Sequence, residues 1–362
     1  MKTVLVGVGQ AGGKITTALA EFDAQMGFGS VLDALEINTA KADLSELPMD
    51  TALIGQDKVS GHGVGGDNEL GAEVMESDIN EVMGTVSEKI DARTEAVVVI
   101  AGLGGGSGSG GAPVLVRRLK RVYDIPIYAL GILPGKDEGT LYQVNAGRSL
   151  KTLAREADSL LLVDNDAWKQ SGESVSEGYD AINQNIARRF GLLFAAGEAT
   201  QGVAESVVDT SEVINTLRSG GLAALGYASS LASDDPTENL NAITSTARNA
   251  LLTGSSLPGA TDADSALLVI AGNPERISRK GVEKARRWLE DETGSMQVRG
   301  GDFPIESDRV AALILLGGVE RSNRVERFLE RARLALEEER EKKETEVDRR
   351  SVFETDELEN LF

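Results

Sequence analysis

Two glycine-rich stretches stand where chemistry on a phosphate would need them. The first reads Gly7, Val8, Gly9, Gln10, Ala11, Gly12, Gly13, Lys14 and directly follows the apolar run 3–8. This is G-x-G-x-x-G between a strand and a helix. Glycines let backbone approach a phosphate, and a helix N-terminus offers N–H donors and a positive dipole end. The spacing suits a dinucleotide fold equally well, with Glu36 near the place of a ribose-binding acid. A tight turn without a ligand would also carry it. The second stretch, Gly104 to Gly111 (GGGSGSGG), follows the apolar run 96–102 and leads into Ala112 and Pro113. Proline suits a first helical turn, and a flexible linker does not lie between a buried strand and a helix. The stretch reads as a second anion nest with two hydroxyls. Two such loops at the C-terminal ends of parallel strands suit a triphosphate better than one pyrophosphate. G-x-x-x-x-G-K-[ST] is absent, because Lys14 is followed by Ile15 and Lys136 by Asp137.

Further along, Asp209 and Glu212 form D-x-x-E at the start of a helical pattern. The spacing fits a capping box, and it also puts two carboxylates on one helix turn. Tyr179 and Asn183 lie one turn apart on a helix face. They could stack on a purine and read its edge, although such a pair alone is more often plain surface. The chain has no cysteine and one histidine, His62. Disulfides, thiolate metal sites and cysteine nucleophiles are excluded, and histidine-based zinc clusters and Ser-His-Asp triads are not expected. His62 itself is expected to be a surface side chain.

The elements that must hold these residues follow from periodicity. Runs 3–8, 33–38, 96–102, 126–133 and 159–164 read as strands buried on both faces, with helices near 14–25, 70–91, 112–122 and 141–156. That alternation predicts an α/β fold with a doubly wound, Rossmann-like, mostly parallel sheet. Residues 174–199 form one helical pattern of about 39 Å, long enough to carry its ends to opposite faces of the molecule. A smaller α+β domain is expected next, with helices near 210–219, 237–252 and 278–292 and strands near 265–271, 295–303 and 309–316. The expected division is 1–173, 174–208, 209–320, a charged helix 321–343 and a disordered acidic tail 344–362, a candidate contact for an adaptor.

With 362 residues, the chain is long enough for two or three cores. Its net charge of −21 argues against nucleic-acid and anionic-lipid partners. Such a surface serves solubility or, more sharply, a cytoplasm with molar salt, where screening offsets self-repulsion. No stretch approaches ~18 apolar residues, so no membrane span is expected. The N-terminal run reads as a strand rather than a signal peptide, which predicts a cytoplasmic protein.

Together these motifs resemble the tubulin and FtsZ superfamily. GGGSGSG at 104–110 is similar to its GGGTGTG signature, and GQAGGK at 9–14 resembles tubulin's Gly-Gln-Cys-Gly loop with Ala11 in the cysteine position. The resemblance runs in order over residues 1–320. It implies a GTPase of the tubulin/FtsZ fold whose GTP or GDP is held by Gly9, Gln10, Ala11, Gly12, Gly13, Lys14 and Asn38. It adds Gly65, Gly66 and Asn68 of a γ-phosphate loop and Gly105, Gly106, Ser107, Gly108, Ser109 and Gly110 of the signature. Glu138 is implied at the ribose, and Asn165, Tyr179 and Asn183 at the guanine. It implies that Asp209 and Glu212 act in trans on the next subunit's nucleotide, with Mg²⁺, in head-to-tail filaments. Val207 stands where relatives carry Asn, and Tyr142 where FtsZ carries an Arg near the phosphates. The tubulin-like first loop, the acidic composition and a tail without a basic, Pro-containing peptide resemble CetZ, the archaeal tubulin-like group of halophiles. That resemblance implies a role in cell shape and motility. An FtsZ-like division protein, a non-hydrolysing scaffold and an NAD-binding oxidoreductase remain the alternatives.

Overall fold

The computed structural model describes residues 1–45, 47–167, 175–196, 208–235, 237–320 and 322–353. The first part of the chain alternates strands and helices: β1 (Thr3–Val8), α1 (Gly9–Met26), β2 (Val31–Asn38), α2 (Lys41–Leu44), β3 (Asp50–Leu53), α3 (Gln56–Val59), α4 (Asn68–Ser77), α5 (Ile79–Ser87), β4 (Ala96–Gly102), α6 (Gly106–Val122), β5 (Ile127–Leu133), α7 (Thr140–Glu156) and β6 (Ser159–Asp164). The long helix α8 (Val175–Ala196) follows. Then come α9 (Thr210–Leu217), β7 (Leu222–Leu231), α10 (Asn239–Leu252), β8 (Ala263–Gly272), α11 (Arg279–Thr293), β9 (Val298–Pro304), β10 (Arg309–Val319) and α12 (Asn323–Phe353).

All ten strands join one sheet in the order β3-β2-β1-β4-β5-β6-β7-β10-β8-β9. Strands from β3 to β6 pair in parallel. The two halves of the chain meet where β6 pairs with β7 through Leu160–Leu222 and Leu161–Ala223. Parallel strands need cover on both faces, and alternate side chains of β1 supply it. Val4, Val6 and Val8 face one core with Met75, Val82, Leu115, Leu119 and Leu153. Leu5 faces the other, built with Ile15 and Leu19 of α1 and Ile186, Phe190 and Phe194 of α8. Leu267, Val269, Leu313 and Leu315 belong to that second core as well, so α8 is packed by both halves of the chain.

Several elements differ from expectation for tertiary reasons. The edge strand β3 is short and largely exposed. β7 (LAALGYASSL) has little intrinsic strand preference. It is a strand because it lies between β6 and β10, with α10 so close that a Cβ on Gly226 would stand 2.3 Å from Ala250 O. The single helix expected over 70–91 is two, which meet at Asp78, and the carboxylate there accepts from Gly55 N (2.6 Å). The C-terminal helix runs to Phe353 rather than ending at 343, so part of the segment expected to be disordered is helical. Its Glu- and Arg-rich sequence favours that through pairs such as Arg333 with Glu330 and Glu337. Residues 354–362 lie outside the described residues, as do residues 197–207, Val207 among them.

Candidate functional site

Three long helices begin at one cleft. α1, α6 and α7 start at Gly9, Gly106 and Thr140. Their N-cap residues Val8, Gly105 and Gly139 make no side-chain cap, and none of the three has an acidic residue in its first turn. The first N–H groups of a helix have no partner within it and sit at the positive end of its dipole. Here they border a cleft of about 1150 Å³ at the C-terminal ends of β1, β4 and β5. This is the arrangement that binds phosphate.

The glycines bring the two loops together. Gly9 has φ +73°, and a Cβ there would stand 2.9 Å from Gly108 N. From Gly9 and from Gly106 onward the two stretches form the first turns of α1 and α6. The loop carrying Gly65 and Gly66 closes a third side. Asn145 Nδ2 donates to Gly66 O (2.8 Å) and Gly104 O (3.0 Å), strapping that loop to the signature. The Ser107 and Thr39 hydroxyls lie 2.7 Å apart. Asn145 carried no signal in sequence, because one buried amide within a helix has no pattern of its own.

Of the expected nucleotide contacts, Gly9, Gln10, Ala11, Lys14, Asn38, Gly65, Gly66, Gly105, Gly106, Ser107, Gly108, Glu138, Asn165, Tyr179 and Asn183 line the cleft. So do Tyr142, Asp43, Asp180 and His62, the last exposed as expected yet held at the rim by a bridge to Ala40. Gly12, Gly13, Asn68, Ser109 and Gly110 stand behind the wall. A Cβ on Gly12 would lie 2.3 Å from Ile100 O and one on Gly110 2.2 Å from Asn68 O, so these glycines let α1 pack closely on β4 and α6 on α4. Asn68 Nδ2 donates to Ser109 Oγ (2.8 Å), and that hydroxyl donates to Gly105 O. At the other end of the cleft, Asn165 is buried and its Oδ1 has no hydrogen-bond partner among the described residues. A buried acceptor left unpaired is costly.

Glu36 lies beneath α1, where a Cβ on Gly13 would collide with its carboxylate. It does not line the cleft, so it is not placed as a ribose contact. Burial pushes its pKa up to about 8; the Asn38 amide lowers it and the Asp43 charge raises it. The carboxyl has an ordinary value of 4.5. The folded protein therefore keeps a proton that the unfolded chain loses, and stability falls as pH rises from about 4.5 through about 8. Glu36→Gln keeps the shape and cannot ionise. Urea melts should show it more stable than the parent above about pH 8, by on the order of a few kcal/mol, and equal to it below about pH 4.5.

Asp209 and Glu212 stand at the opposite end of the molecule. Thr210 Oγ1 donates to Glu95 Oε2 (3.3 Å), just before β4, whereas the cleft lies past its other end. Seven residues of β4 separate them by about 23 Å. α8 makes the same crossing, from Tyr179 and Asn183 in the cleft to Phe194, whose carbonyl accepts from the Met1 amino group (2.5 Å). Its 22 described residues span about 33 Å. Asp209 and Glu212 form a complete capping box on α9. Hydrogen bonds from the Ser211 hydroxyl and from the Glu212 and Ser211 backbone lower the Asp209 pKa. Burial raises that of Glu212, opposed by its backbone bond to Asp209.

The comparisons with known proteins agree with this architecture. Residues 2–173 match the Tubulin/FtsZ family GTPase domain, and residues 172–334 match the tubulin-like CetZ C-terminal domain. Tubulin-like protein CetZ2 of Haloferax volcanii is 68% identical over 364 residues, covering 100% of both chains. A structure of that protein as a GTPγS-bound protofilament superposes with a TM-score of 0.91 at 69% identity, over 94% of this chain and 100% of that one. The GDP-bound monomer of CetZ1 from the same organism gives 0.86 at 48%, over 93% and 100%. An FtsZ dimer from M. jannaschii, 21% identical over 88% of each chain, shares the fold with a TM-score of 0.71. With the sheet order, the cleft and both halves of the sequence in agreement, the chain belongs to the CetZ family of tubulin-like proteins and carries the GTPase domain of the tubulin/FtsZ superfamily.

Proposed function

We propose that the cleft binds GTP and that the protein hydrolyses it at a contact between copies stacked head to tail. It would thus act as a filament-forming cytoskeletal protein that governs cell shape and motility. The observation that carries this reading is the convergence of three uncapped helix N-termini on one cleft whose far end is lined by Asn165, Tyr179 and Asn183. The first end suits a triphosphate and the second a purine. The GTPγS-bound protofilament of CetZ2 supports both the ligand and the assembly.

The carboxylates lie at the end of the molecule opposite the cleft, so one copy holds nucleotide without them. Stacking would bring Asp209 and Glu212 of one copy over the cleft of the next, and a heterologous contact that does not close gives a filament. Their pKa values are pushed apart, Asp209 down and Glu212 up. An ionised Asp209 would fix the turn, and a more basic Glu212 would orient water for attack on the γ-phosphate. Mg²⁺ would neutralise charge on the phosphates. Such an ion takes one or two carboxylates with phosphates and water, and Asp43, held by Gln10 and Asn38, is the acid at that end. No group of three or more metal-binding side chains is found among the described residues.

Specific GTP hydrolysis in molar KCl with Mg²⁺ is expected to rise with protein concentration. Turnover independent of concentration, or absent while GTP binds, would leave a nucleotide-dependent scaffold. Binding of NADH instead would restore the dehydrogenase reading. In cells, loss of the protein should alter shape and swimming and spare division; a division block would favour an FtsZ-like role.

A further inference from the structure

The cleft is reached from the far end of the chain. Arg324, in the first turn of α12, pairs through Nε with Asp164, the last residue of β6, and through Nη2 with Asp166 (2.7 Å). Asp166 also accepts from the backbone N of Lys136 (3.2 Å). Between the two aspartates stands Asn165, which lines the cleft and whose Oδ1, shielded from solvent, has no hydrogen-bond partner among the described residues. The Asp164 side chain is only 3% exposed and that of Asp166 15%. Two carboxylates so placed repel each other strongly without a cation between them, and Arg324 is bonded to both. Its planar fork suits two acceptors in a way an ammonium cannot. The platform that delivers it is fixed, because Phe328 is buried and Ala332 packs where a Cβ on Gly147 of α7 would lie 2.7 Å away.

We infer that Arg324 is a positioning residue for base selection: it clamps the turn 164–166 so that the Asn165 amide meets the donor edge of guanine. The inference rests on the cleft taking GTP. Where guanine presents N1–H and its 2-amino group, adenine presents the N1 acceptor and a C2–H, so the Asn165 amide discriminates only while it is held in place. α12 thereby becomes part of the nucleotide site although its sequence lies beyond the expected GTPase domain.

The test is the ratio of GTP to ATP affinity for the full chain, measured by calorimetry with each nucleotide. Arg324→Gln should lower that ratio about tenfold, chiefly through weaker GTP binding. Arg324→Lys keeps the charge and loses the fork, and should fall between. In an Asn165→Ala background, Arg324→Gln should change the ratio no further, because both act through one amide. An unchanged ratio in the arginine variants, including an equal loss for both nucleotides, overturns the inference. Should the glutamine variant fail to fold, the lysine variant decides: a full parental ratio overturns the inference and a lowered one supports it. A parent chain that binds no GTP overturns the reading of the cleft instead.

Discussion

Glu212→Gln should lower GTP turnover by about 10²–10³-fold, the range expected when a positioned carboxylate is removed, while leaving GTP affinity and the fold intact. The substitution separates the capping role of this residue from the catalytic role proposed for it. Glu212 is the partner of Asp209 in a complete capping box, and glutamine serves there as well as glutamate. Melting should therefore shift by less than about 0.5 kcal/mol. What glutamine cannot supply is the carboxylate, which burial makes more basic than usual. Phosphate release and nucleotide affinity measured on the same preparation distinguish the outcomes, and turnover at the parental rate would reduce Glu212 to a cap. The sharing of the site can be tested by mixing. A Tyr179→Ala, Asn183→Ala double variant would lose the proposed base contacts but keep Glu212. Added to Glu212→Gln, it should restore activity, because each copy then supplies the half the other lacks. No recovery despite co-assembly would place catalysis within one chain.

The second large effect concerns glycines that look alike in sequence and differ in what surrounds them. Gly110→Ala would put a methyl 2.2 Å from Asn68 O and 2.6 Å from Ala72 N, both backbone atoms. α6 must then move away from α4, at a cost of about 2–4 kcal/mol. The loop at Gly66 should shift with them. Gly105→Ala meets nothing within 4 Å and has an ordinary φ of −70°. It should leave the melting temperature unchanged and weaken GTP binding, since the open space beside it belongs to the cleft. Thermal melts and GTP titrations of the two variants should give opposite patterns. If Gly105→Ala binds GTP as the parent does, the signature does not approach the phosphates at that residue.

The parallel core and the place of the cleft were legible in the sequence because both depend on local pattern. Apolar runs such as 96–102 can be buried on both faces only inside a covered sheet. A glycine run between such a strand and a helix leaves a helix N-terminus open, whatever the rest of the chain does. The motif order carried the resemblance to the superfamily, and the first loop, the acidic composition and the tail carried that to CetZ; 15 of the 20 expected nucleotide contacts line the cleft. β7 was not legible, because its alanines, serines and glycine become a strand only between β6 and β10. The division of labour among glycines was hidden as well. Gly105 and Gly110 are the same residue type five positions apart, and only the arrival of α4 makes one a packing contact.

The sequence by itself determined the alternation of elements, the two glycine turns, the absence of cysteine chemistry and the presence of D-x-x-E. Periodicity and residue type act over a few neighbouring positions, so these are properties of short segments. The tertiary structure decided that Asp209 and Glu212 stand about 23 Å from the cleft, that Glu36 is sealed under α1 and holds its proton to about pH 8, and that Arg324 reaches back some 160 residues to Asp164. Each of these depends on which distant segment fills the space beside a side chain, and burial and charge pairing exist only once the chain has brought those segments together.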